Sequence, residues 1–129
     1  MFEKGETVRK LILFALVAIL ALAAFPSTAQ AQTIEECQSL IVQTSSALAG
    51  VTIGGNNPDQ ARAGLQSKLV GASTKLAEGK NDDAVAKLVD FQTSVERLAT
   101  APKPKISQAD AQLLITDANN AIACIQGLG

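Results

Sequence analysis

NDDAVAKLVDFQTSVERLAT, residues 81–100, decides the fold of the chain. Apolar residues recur at Ala84, Leu88, Phe91, Val95 and Leu98, in steps of four, three, four and three, and Val85 and Val89 widen the stripe. That rhythm follows the 3.6-residue turn of a helix and leaves one apolar face along it. Asn81 reads as the cap, and Asp82 and Asp83 fall in the first turn, where the helix dipole favours anions. Phe91 is the only aromatic residue after position 31, so it is expected to be the largest side chain in the core.

The same rhythm appears on both sides. Upstream, Ala61, Leu65, Leu69, Ala72 and Leu76 share a face and end at Gly79, a natural residue just past a helix. That helix starts at Asn57-Pro58-Asp59-Gln60, with a cap followed by a proline in the first helical position. Further upstream, Thr33 and Glu36 form the pattern of a capping box. Ile34, Cys37, Ile41, Thr44, Leu48 and Val51 follow as a stripe, and Gly50 ends the helix. Downstream, the prolines of Thr100-Ala101-Pro102-Lys103-Pro104-Lys105 cannot continue a helix. Ser107 then opens a last helix, with Ile106 placed to staple onto Ala111. Its stripe is Ala111, Leu114, Ala118, Ala121, Ile125 and Leu128.

No segment alternates with a period of two. Four helices with short connections predict an all-α, up-down-up-down antiparallel four-helix bundle over residues 32–129. In that topology the start of the first helix and the end of the last share one end of the bundle. Cys37 and Cys124 stand at those two places.

Residues 1–31 read as a signal-peptide helix. Arg9 and Lys10 precede an apolar run from Leu11 to Phe25, followed by Pro26 and Ala29-Gln30-Ala31, an A-x-A cleavage site. Fifteen apolar residues span about 22 Å as a helix, short of the ~30 Å hydrocarbon core, so cleavage after Ala31 is expected rather than a retained anchor. Glu35 and Glu36 before Cys37 argue against lipidation, and there is no twin-arginine pair. The leader is bacterial in style, which implies the periplasm or the medium. Two cysteines in an oxidising compartment are most simply one disulfide, Cys37–Cys124.

Composition excludes much chemistry. After residue 31 there is no His, Trp, Tyr or Met. A Ser-His-Asp triad, a histidine metal ligand and an aromatic stacking platform are therefore all absent. Loss of Glu3, Lys4, Glu6, Arg9 and Lys10 with the leader leaves ten acids and eight bases, a net charge of −2 with no pattern along the chain. That argues against nucleic acid and anionic membrane. Glu35-Glu36 and Asp82-Asp83 complement helix dipoles; neighbours on a helix point apart and make no carboxylate dyad. Asp110 and Asp117, seven apart, share a solvated helix face. The Gly54-Gly55-Asn56-Asn57-Pro58-Asp59 loop lacks the spaced acids of an EF-hand. Asn119 and Asn120 are unusual inside a helix and are a candidate contact surface, with one facing outward and one bonding between helices. Gln38, Ser39, Gln43, Thr44, Ser45 and Ser46 give the first helix an uncharged polar face.

Leu65, Leu69, Ala72, Leu76 and Gly79, then Ala84, Leu88, Phe91, Val95 and Leu98, then Ile106, Ala109 and Ala111, then Leu114, Ala118, Ile122 and Ile125 resemble the FIMAH domain. This is a small helical module attached to secreted bacterial hydrolases and surface proteins. The resemblance runs from Leu65 to Leu128, and its most telling parts are the L-x-x-A-x-x-x-L-x-x-G ending of the second helix and the F-x-x-x-V-x-x-L of the third. Such modules often carry Phe-Ile where this chain has Phe91-Gln92, and Ser-Gly-Lys where it has Ala101-Pro102-Lys103; the cysteines lie outside the pattern. The resemblance implies an accessory role and supplies no catalytic residue. The expectation is a monomeric, non-enzymatic exported protein that binds a protein or polysaccharide, with no cofactor, no metal and no membrane span once the leader is gone. A secreted inhibitor or chaperone-like factor is the alternative, and a carboxylate-dependent hydrolase a more distant one.

Overall fold

The computed structural model describes residues 32–128. The leader, including its predicted helix and cleavage site, lies outside the described residues. Four helices account for most of the chain: α1 (Ile34–Gly50), α2 (Pro58–Ala77), α3 (Asn81–Thr100) and α4 (Gln108–Gln126). No strand occurs among the described residues.

Each helix packs on its sequence neighbour, and α4 closes the ring against α1. Cross-helix bonds give the directions. Gln38 at the start of α1 reaches the Ser73 carbonyl near the end of α2, whereas Arg62 at the start of α2 reaches the Leu48 carbonyl near the end of α1. Gln108 at the start of α4 donates to Ala99 at the end of α3, and Gln92 pairs with Asn119 further along. Neighbouring helices therefore run antiparallel.

The core is the set of apolar stripes turned inward. Phe91 is fully buried with Leu48, Leu69, Leu76, Leu88, Leu114 and Ile125. Ala72, Ala84, Ala118 and Ala121 are also fully buried, and such small side chains let the helix axes approach closely. Thr44 is the single buried polar side chain among the described residues. Its hydroxyl donates to the Leu40 carbonyl one turn back at 2.9 Å, so no donor is stranded.

Helix boundaries follow local chemistry. Thr33 Oγ1 accepts from the Glu36 amide, and Glu36 Oε1 accepts from the Thr33 amide, a complete capping box. Ser107 Oγ accepts from Asp110, and buried Ile106 and Ala111 flank that turn. Gly79 has φ +79° in the turn after α2. Its amide reaches the Leu76 carbonyl and that of Lys80 reaches Lys75, the paired bonds of a Schellman ending.

Three sequence expectations need correction. Asn81 is not the cap of α3. Lys80 occupies that position without a side-chain cap, because the tight α2–α3 turn already consumes the Lys80 amide and its carbonyl accepts the first helical bond from Ala84. Val51 is buried but belongs to the turn after α1, where its backbone is extended. Val89 is exposed, and Ala99 closes the stripe where it was expected to pass through Leu98, which is only partly buried.

A disulfide joins Cys37 to Cys124, with Cα atoms 5.5 Å apart across 87 residues of sequence. Closing a loop of that length constrains the unfolded chain by about 4–5 kcal/mol on the chain-entropy model. The bridge seals one end of the bundle. The other end is plugged by Val51, Ile53 and Ile106, three buried side chains from the two long connections.

Candidate functional site

The two long connections meet at the end opposite the disulfide. The Gly54 amide donates to the Lys105 carbonyl at 2.7 Å, and the Lys105 amide donates to Leu98 at 2.8 Å. Gly55 has φ +95°, and the methylenes of Lys105 lie directly over it; a Cβ on Gly55 would stand 3.1 Å from both Cδ and Cε. Glycine serves both needs there, a left-handed backbone and a close approach.

Between the connections lies a cleft of about 520 Å³, lined by Gly54, Gly55, Asn56, Asn57, Ala61, Lys103, Pro104 and Lys105. The lining contains two ammonium groups, two side-chain amides and no carboxylate. Neither lysine forms an ion pair among the described residues. Asn57 caps α2 by position but makes no side-chain bond, and its carbonyl accepts from the Ala61 amide. The two lysine charges, with no carboxylate beside them in the lining, favour an anion over a cation, and the amides of Asn56 and Asn57 can both donate and accept. A calcium site in the glycine-rich loop would face both lysines.

Arg62 steadies the cleft from behind. Its guanidinium donates to the carbonyls of Leu48 at 2.6 Å and Val51 at 3.1 Å. The Leu48 carbonyl also accepts from the Val51 amide at 3.4 Å, and both acceptors lie at the end of α1, where the helix dipole favours a cation.

Charge that is unpatterned along the chain is patterned in space. The disulfide end gathers Glu35, Glu36, Glu78, Asp82 and Asp83 against Lys75 and Lys80. Lys75 and Lys80 both sit near Glu78, at 3.9 and 3.6 Å. The connection end gathers Arg62, Arg97, Lys103 and Lys105 against Asp59, Glu96 and Asp110. The antiparallel topology brings these residues together, which is why spacing in the sequence misses them.

The remaining candidates are scattered. Asn119 Oδ1 accepts from Gln92 Nε2 at 2.7 Å, and the same Gln92 amide reaches the Ile115 carbonyl at 3.1 Å, so Asn119 joins α3 to α4. Asn120 is exposed beside it. Asp82 and Asp83 line a shallow depression with Gly79, Lys80 and Asn81. Exposed Val42 and Val70 flank a groove between α1 and α2, where Ser45, Gln66, Ser73 and Thr74 interrupt the apolar surface. Among the described residues, no three His, Cys, Asp or Glu side chains gather as a metal site, and no helix is long and apolar enough to cross a membrane.

Comparison with protein-family models, curated proteins and solved structures finds no match to this chain.

Proposed function

We propose that the chain is a non-enzymatic binding module, exported to the periplasm or the medium and closed end to end by its disulfide. The observation that carries the reading is the cleft itself. Its walls are pinned by backbone bonds and by buried Val51, Ile53 and Ile106, and its lining joins two lysines to two asparagine amides with no carboxylate, histidine or cysteine side chain. A preformed, polar-lined cleft binds at low ordering cost. The disulfide fits an oxidising compartment. The likeness of residues 65–128 to FIMAH domains supports an accessory role beside a larger secreted protein. The partner is a protein or polysaccharide that presents anionic or acceptor groups to the connection end.

Amide chemical shifts of ¹⁵N-labelled mature protein test this during titration with acidic oligosaccharides and, separately, acidic peptides. Shifts centred on residues 54–57 and 103–105, lost in a Lys103→Ala/Lys105→Ala double variant, support the reading and identify the class. Shifts confined to Val42 and Val70 with an apolar peptide would favour the inhibitor or chaperone-like role.

A further inference from the structure

We propose that the mature N-terminus is a pyroglutamyl residue formed from Gln32. The inference rests on the export reading, in which cleavage after Ala31 makes Gln32 the first residue. Glutamine at a chain end carries its own electrophile. Its neutral α-amine attacks the side-chain Cδ, a Cδ–N bond forms and closes a five-membered lactam, and the Cδ–Nε2 bond breaks. Ammonia leaves, taking up the proton shed by the amine. Nothing is oxidised or reduced, and no further reactant is required.

The structure leaves this residue free to react. Gln32 is exposed and lies outside α1, one position before Thr33. The helix start is secured beyond it by the reciprocal bonds of Thr33 and Glu36 and by the Cys37 amide on the Thr33 carbonyl. Ring closure at residue 32 disturbs none of these. The Gln32 side-chain oxygen lies 3.1 Å from Cys124 Sγ, but a bridged sulfur has no proton to donate, so no hydrogen bond restrains the amide there.

Electrostatics favours the product. A free α-ammonium would stand beside the positive end of the α1 dipole, and the lactam removes that charge. Glu35 and Glu36 offset part of the repulsion, so the preference is modest. The modification gives a chain with no free amine for an aminopeptidase, five residues ahead of the bridged Cys37.

The test uses the full 129-residue chain, expressed in a secreting bacterial host and recovered without reductant. Intact mass and sequencing of the N-terminal tryptic peptide are followed during incubation at neutral pH. The expected result is a chain of residues 32–129 lacking one ammonia, blocked to stepwise degradation until treated with pyroglutamyl aminopeptidase. A Gln32→Ala variant should be cleaved at the same place without that loss. A chain beginning at Gln32 that keeps its ammonia overturns the proposal and leaves the export reading standing. A chain that retains its leader, or begins elsewhere, overturns both.

Discussion

The amide of Gly54 and the carbonyl of Lys105 share a 2.7 Å hydrogen bond between connections that are distant in sequence. Gly54 precedes α2, and Lys105 precedes α4. The bond therefore ties the entry of one helix to the entry of another, on the side of the molecule away from the disulfide. The cleft exists because of this tie, and its donors keep their places because apolar side chains on both connections are buried beneath it.

Arg62→Met should loosen that end. The substitution keeps much of the aliphatic stem and removes the donors to Leu48 and Val51. A charge-assisted hydrogen bond is worth about 1.5–3 kcal/mol, and partial exposure places the loss near the lower figure. Urea denaturation checks it, and amide exchange should accelerate first in residues 48–53.

Glycine substitutions separate two effects. Gly79→Ala meets nothing within 4 Å but must keep φ at +79°, so it should cost about 1 kcal/mol from the backbone alone. Gly55→Ala adds a clash with the Lys105 methylenes and should also shift the amides that line the cleft. Gly64→Ala lies in α2 with open space around it and should stabilise the protein by about 0.5–1 kcal/mol. Thermal melts should place Gly55→Ala lowest, Gly79→Ala next, and Gly64→Ala above the parent.

Phe91→Ala removes the largest fully buried side chain. Six other buried core positions are alanines, which have no side-chain rotamers to refill the space. A loss of about 3–5 kcal/mol is expected, read from denaturant midpoints. A variant as stable as the parent would remove Phe91 from the core.

The helices were legible because an apolar stripe with a polar remainder runs through each, and caps at Thr33 and Ser107 and a stop at Gly79 mark their ends. Capping at Thr33, the stop at Gly79 and the staple at Ile106 follow from side chains within one turn of each other. Errors arose where the chain turns. The three-residue link after α2 moved the α3 cap from Asn81 to Lys80, because its backbone bonds were already committed. Val89 joined the stripe on hydrophobicity alone, but it lies beyond the edge of the buried face. The cleft was not legible. Lys105 over Gly55, and Arg62 on the end of α1, are long-range contacts that no periodicity encodes. Asn119 and Asn120 are unusual inside a helix, and the bond of Asn119 to Gln92 accounts for the first.

The disulfide staples the start of α1 to the end of α4 across a bundle of four helices. Trypsin offers a direct check, because no lysine or arginine lies between Gln32 and Arg62 or after Lys105. Digestion under non-reducing conditions should release the peptide that ends at Arg62 and peptide 106–129 as one covalently linked species that separates on reduction. Recovery of the two peptides apart, each carrying a free thiol, or linked only to copies of themselves, would contradict the account.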